Sequence, residues 1–115
     1  MGRRPSQAAG EAPLTRRLLF SPDALAEVEE AHDWYDSHPG DVGARFVRAY
    51  EKLMTRIASH PQHFPVLYSN IHRARVQGFP YFFLFRLGDS TIQILACFHT
   101  SQDPKRWRGP RFGSS

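Results

Sequence analysis

Two apolar runs lying almost back to back between Phe79 and Trp107 constrain this chain more than any other feature of it. The first, Tyr81 to Arg86, is dominated by aromatic side chains, which fit a pleated, half-buried surface. Gly88-Asp89 supplies a turn, and Thr91 to Phe98 returns with Ile92, Ile94, Ala96 and Phe98 expected on one face. Strands this close in sequence pair antiparallel, so the C-terminal half is built around a sheet. His99 stands where the second run stops, and Lys105, Arg106, Arg108 and Arg111 follow it. A sheet ending in an imidazole and a group of cations is suited to phosphates or acidic partners.

The rest of the chain supplies elements to cover that sheet. Arg17 to Phe20 reads as a short strand. Ser21-Pro22 then opens a helix, with serine as N-cap and proline at the first position, where its missing N–H costs nothing. Leu25, Val28, Ala31 or His32, and Tyr35 recur at helical spacing and are expected to form the buried stripe. Pro39-Gly40 breaks the pattern, and a second helix runs from about Val42 to His60 with Phe46, Ala49, Tyr50, Leu53 and Ile57 on one face. Pro61 ends it. Gln62 to Ile71 is a connection that packs down, and His72 to Gln77 alternates as a further strand.

The expected fold class is therefore α+β: an N-terminal strand, an antiparallel two-helix hairpin and a three-stranded antiparallel sheet. One face of the sheet packs on the helices and the other is at least partly exposed. Gln93, Leu95, Cys97 and His99 are expected on the exposed face, joined by Arg73, Arg75 and Arg86, in a register that one residue of slip would invert.

At 115 residues with 41% hydrophobic content the chain has material for one core and not two. Its formal charge of +4 matters less than the distribution of that charge. Six acidic residues and no Lys or Arg lie between Asp23 and Asp36, whereas seven Lys/Arg face only Asp89 and Asp103 from Ile71 onward. An acidic helical side and a basic sheet side are expected, a field that steers polyanions or an acidic protein segment. Cys97 is the only cysteine, which excludes an intrachain disulfide and a cysteine-based zinc site. His60 and His63 flank Pro61 without a carboxylate or thiol cluster, a poor metal site, so no metal and no cofactor are expected. No apolar run is long enough to span a membrane, and the basic N-terminus lacks the apolar segment of a signal peptide, so the expected location is cytoplasmic. Residues 1–15 are expected to form a flexible extension, 16–108 the domain and 109–115 a flexible tail.

Taken in order, the Ser-Pro opening, Asp33-Trp34-Tyr35, Pro39-Gly40, Gly43-Ala44-Arg45-Phe46, His60-Pro61, Phe64-Pro65, Arg73, Phe79-Pro80-Tyr81, Arg86, the Ile92/Ile94/Leu95 strand, His99, Asp103-Pro104 and Trp107 form a pattern. From about Leu18 to Arg108 it resembles the RelE/ParE superfamily of toxins from type II toxin–antitoxin modules, in its ParE-like, plasmid-stabilisation branch. The resemblance implies a toxin neutralised by a cognate antitoxin that wraps a C-terminal segment over the toxin's helices and sheet and alone contacts DNA. It implies one of two activities. ParE-like relatives inhibit DNA gyrase by binding it, which needs a shaped surface and no general acid or base. RelE-like relatives are ribosome-dependent endoribonucleases that cut messenger RNA, for which His99 with Arg73, Arg75 and Arg86 are the candidates here. A toxin remnant that binds antitoxin without harm is the third reading.

An imidazole titrates near neutral pH and guanidinium forks match phosphate oxygens, but a strand-end histidine also serves to orient a turn, and arginines also bind acidic side chains. Arg73, Arg75, Arg86, Lys105, Arg106, Trp107 and Arg108 are accordingly expected to contact target or antitoxin, with Trp107 otherwise capping the sheet edge. Relatives commonly carry Tyr at Phe85 and Arg at Gln102, and RNA-cutting relatives carry a late tyrosine, whereas nothing after Tyr81 is a Tyr. These departures count against an RNA-cutting mechanism and toward a weakened toxin; the expected activity is inhibition of gyrase by binding, without a cofactor, and an endoribonuclease is the alternative.

Overall fold

The computed structural model describes residues 16–101. In chain order these form β1 (Arg17–Phe20), α1 (Pro22–Asp36), α2 (Val42–Ser59), a short 3-10 turn (Pro61–His63), β2 (Val66–Tyr68), β3 (Ile71–Arg75), β4 (Tyr81–Leu87) and β5 (Thr91–His99). The α+β architecture is the expected one, but the sheet has five strands, in the order β1-β5-β4-β3-β2. Two strands join the expected three. β1 pairs parallel with β5, Leu18 against Ile92 and Phe20 against Ile94. β2, inside the segment expected as a connection, pairs antiparallel with β3 through a turn in which Ser69 takes φ +52°. With three residues between Pro65 and Ser69-Asn70, β2 is too short to show an alternation.

Local chemistry explains the helices. The Ser21 side chain accepts the Ala24 N–H at 3.0 Å and caps α1. Ala24, Val28, Ala31 and Tyr35 form its buried stripe, so Ala24 replaces the expected Leu25, which is 48% exposed. The stripe begins one residue earlier because the cap serine is itself tied down onto the sheet. Gly40, at φ +89°, turns the chain between the helices, a conformation glycine adopts without strain. Gly43 in the first turn of α2 lets the helices approach: a Cβ there would lie 3.1 Å from the Asp36 Cα. In α2, Phe46, Leu53 and Ile57 are buried as the spacing predicts, with Ala49 and Tyr50 partly buried against the same core.

The main core lies between the helices and the sheet, where Tyr35, Phe46 and Ile57 meet Phe83, Phe85, Ile92, Ile94 and Cys97. The far face of the sheet departs from expectation. Ile71, Phe82, Leu84, Leu95, Ala96 and Phe98 form a second buried cluster there, so the polar face is confined to margins such as Arg73, Arg75 and Gln93. The physical reason is visible in Tyr81-Phe82-Phe83-Leu84-Phe85, a continuous apolar run of the kind strands carry when both faces are buried.

Candidate functional site

One extra residue in β5 decides which groups share a surface. Phe85 pairs with Ile94 while Leu84 pairs with Ala96, leaving Leu95 as a bulge. A bulge resets the period-two alternation of its strand. Before it, Ile92 and Ile94 face the helices; after it Cys97 and His99 do, while Leu95, Ala96 and Phe98 face the other way. The expected sharing of one face by Gln93, Leu95, Cys97 and His99, and by Ile92, Ile94, Ala96 and Phe98, is thereby corrected. Ser21 holds the irregularity in place: its N–H donates to the Ile94 carbonyl at 2.9 Å and its Oγ to the Leu95 carbonyl at 3.1 Å. The N-cap of α1 and the bulge are one structure.

His99 consequently opens into a groove of about 680 Å³ between α1 and the end of β5, lined among others by Glu27, Glu30, Trp34, Tyr35 and Tyr81. Its ring meets the Tyr81 ring edge-on at 5.1 Å. The Ser101 N–H donates to His99 Nδ1 at 3.0 Å, and Ser101 Oγ lies 2.8 Å from the same nitrogen. Nδ1 is thus an acceptor, and the neutral ring carries its proton on Nε2. Glu27 Oε1 accepts the Cys97 N–H at 2.8 Å. Burial first, and the Glu27 charge second, push the Cys97 thiol up to about 12. Burial also raises the Tyr35 and Tyr81 phenols, so both stay protonated at neutral pH. Trp34 is 56% exposed at the groove's rim, where its ring rests on Tyr35 and His38.

The three sheet arginines lie elsewhere. Arg73 pairs with Leu84 on the far face and sits 5.8 Å from the Phe82 ring. Arg86 donates to Gln93 Oε1 at 3.3 Å on that same face. Arg75 donates from Nε to the Phe79 carbonyl at 3.1 Å, at the β3–β4 turn. Arg73 and Arg86 are therefore separated from His99 by the sheet itself. Phe85, where relatives carry Tyr, is fully buried on the helix side and stacks on His72 with ring centroids 5.0 Å apart. Lys105, Arg106, Trp107 and Arg108, with Gln102, fall outside the described residues. His60 and His63 stack at 4.9 Å, and among the described residues no group of three His, Cys, Asp or Glu side chains has metal-holding geometry.

A second groove, of about 620 Å³, was not among the sequence expectations. Arg45, Arg48, Lys52 and Arg56 on α2 and Arg75 on β3 surround it, above Ala49, Leu53 and Phe79. The helical side of the molecule is thus acidic along α1 and basic along α2, which corrects the expected acidic helices against a basic sheet. The signal was present in the sequence as cations at 45, 48, 52 and 56, an i, i+3, i+7, i+11 stripe.

Comparison with known proteins gives one family and one fold. The family model described as ParE toxin of the type II toxin–antitoxin system parDE matches residues 18–104. Among solved structures, a chain of the chromosomal ParDE toxin–antitoxin system of P. aeruginosa superposes with a TM-score of 0.65 at 16% identity, covering 77% of this chain and 100% of that one. A chain of the RelBE2 toxin–antitoxin complex of Mycobacterium tuberculosis gives 0.53 at 20% identity over 76% and 94% of the two chains. The YoeB dimer of Staphylococcus aureus gives 0.51 at 15% identity over 74% and 98%. No curated protein matches the sequence.

Proposed function

This chain belongs to the ParE toxin family of type II toxin–antitoxin systems, and on that premise we propose that it arrests growth in the cytoplasm by binding DNA gyrase, held inactive by a cognate antitoxin. The observation that supports inhibition by binding over RNA cleavage is the division of the candidate groups by the sheet. Attack by a ribose 2′-hydroxyl needs a base, an acid and cations gathered at one phosphate. His99 lies in a groove lined by Glu27 and Glu30, whose charge repels phosphate, while Arg73 and Arg86 are on the opposite face. Binding a protein target requires no such convergence.

Two of the similar folds come from a ParDE toxin–antitoxin system and a RelBE2 toxin–antitoxin complex, which supports a small antitoxin as first partner. DNA is reached only through that antitoxin. Among the described residues no helix is long and apolar enough to cross a membrane.

Brief induced expression without antitoxin tests the reading, with growth, chromosome breaks and primer extension on abundant transcripts followed in one culture. Growth arrest with DNA breaks and intact transcripts is expected, and His99→Ala retains most of the toxicity. Codon-spaced transcript ends that vanish in His99→Ala would establish a nuclease instead. Normal growth with antitoxin still bound would identify a remnant.

A further inference from the structure

We infer that the groove between α2 and the β3–β4 turn is a small-molecule site for a chain of linked phosphates, carried by a free nucleotide or by inorganic polyphosphate. The cations come first. At 100° per residue Arg45, Arg48, Lys52 and Arg56 fall within an arc of about 80° on α2, and over their eleven-residue span the helix rises about 16 Å. Arg75 lines the groove from β3. Among the described residues only Arg45 of these five has a carboxylate partner, Asp41 at 3.2 Å, and that pair is exposed. The Arg75 Nε donates to the Phe79 carbonyl at 3.1 Å, which orients its guanidinium at the groove's edge. Cations of one sign gathered on a folded surface repel one another, so an anion that neutralises several at once is favoured there.

The turn adds donors that come from the backbone. Val76 to Phe79 is closed by the Phe79 N–H donating to the Val76 carbonyl at 3.3 Å, with Gly78 at φ +86°. The amides of Gln77 and Gly78, the two residues inside that turn, donate to no backbone acceptor among the described residues, and both residues line the groove. Successive amides of this kind form a concave site for an anion. Size and floor then select the class of anion. At about 620 Å³ the groove has the volume of a small-molecule site, and each guanidinium fork matches two oxygens of one phosphate. A nucleic-acid strand asks for successive aromatic faces on which its bases stack. Phe79 is the only aromatic residue among the described lining, and it is held edge-on by Tyr35 and Phe46 at 5.1 and 5.3 Å. With Ala49 and Leu53 it forms one apolar patch, enough for a single nucleoside and not for a strand. The inference does not depend on how the toxin acts on its target.

The test titrates inorganic tripolyphosphate, ATP and orthophosphate into the full chain by calorimetry at physiological salt. Tripolyphosphate and ATP are expected to bind, and orthophosphate, which reaches fewer of the cations, to bind about tenfold more weakly or not at all. The double variant Arg48→Gln/Lys52→Gln should weaken binding about five- to tenfold, in keeping with two exposed ion pairs. Arg75→Gln, on the opposite wall, weakens it as well. Arg17→Gln on β1 removes a cation outside the groove and leaves affinity unchanged, and thermal melts confirm that the variants fold. Tighter binding of ATP than of tripolyphosphate would assign a nucleotide seated on the Phe79 patch. The reverse order, or equal binding, would assign an inorganic chain, and either result supports the site. Failure of both ligands to bind would overturn it, as would orthophosphate matching tripolyphosphate or affinity untouched by the double variant. Tighter binding of a single-stranded oligonucleotide of equal charge would also overturn it, by making the groove a nucleic-acid surface.

Discussion

The thiol of Cys97 is held in a chemically quiet state by its position. It is 3% exposed, its backbone N–H donates to the Glu27 carboxylate on α1, and its thiol proton is retained up to about pH 12. The native protein should resist iodoacetamide at pH 8 and label fully in urea, since the thiolate is the reactive species. Rapid native labelling would place Cys97 on the outside and refute the bulge-set facing of β5. The same shift has a pH consequence with a definite sign. An unfolded thiol loses its proton near 9.0, whereas the folded one holds it to about 12. Above pH 9 the unfolded state therefore binds fewer protons, and stability falls as pH rises through that window. The raised phenols of Tyr35, Tyr50 and Tyr81 act in the same direction above their ordinary 10.0. Urea midpoints should fall from pH 9 to 11, and Cys97→Ser should remove the decline below about pH 10, where the thiol acts alone, and reduce it above, where the phenols add to it. His99 contrasts with Cys97. It was legible in the sequence as an acid–base candidate because a strand-end imidazole is conspicuous. That its Nδ1 is engaged by Ser101 depends on a turn the residue type does not reveal.

At the scale of elements, most boundaries follow from local signals, and the departures are where two elements touch. Ser21 and Pro22 mark the start of α1 and Pro61 the end of α2, because capping and the proline ring act on neighbouring backbone alone. The second task of Ser21, bonding the carbonyls of Ile94 and Leu95, spans more than seventy residues and leaves no local trace. Ser21→Ala should cost about 1–2 kcal/mol, the upper end for a cap, because the cap and the Leu95 bond are lost together. Chemical denaturation checks this, and a loss confined to a few tenths of a kcal/mol would show that the bulge stands without its serine. Gly43 offers a second test. Alanine gains about 1 kcal/mol of helix propensity, but its Cβ meets the Asp36 backbone at 3.1 Å, and overpacking costs about 1–3 kcal/mol. Gly43→Ala should therefore lower the melting temperature by a few degrees, since 1 kcal/mol is about 4–8 °C in a domain of this size. A raised temperature would mean that the helices part easily at that contact.

Over the whole molecule, the two grooves of opposite sign are the property that matters for partners. α1 presents Glu27 and Glu30 beside exposed Trp34, and α2 presents its cation stripe around the corner. A partner that engages both must alternate its own charge along its length, and raising salt from 0.15 to 0.5 M should weaken such a complex markedly, because exposed pairs are screened within a Debye length of about 8 Å at the lower concentration. Salt-insensitive binding, measured by titration calorimetry, would instead assign the affinity to apolar contacts. The toxin pattern itself was legible from Leu18 onward, and the family match over residues 18–104 agrees with it. Residue order by itself determined the α+β class, the helix limits, the hairpin of β4 and β5 and the separation of acidic from basic segments, because each rests on periodicity, capping or turn chemistry within a few positions. Only the tertiary structure decided that β1 closes one edge of the sheet, that α2 is basic where α1 is acidic in space, and that His99 faces away from Arg73 and Arg86. The physical reason is that a strand's facing has a period of two, so one bulged residue, Leu95, inverts every side chain beyond it, and the bond that secures that bulge comes from the other end of the chain.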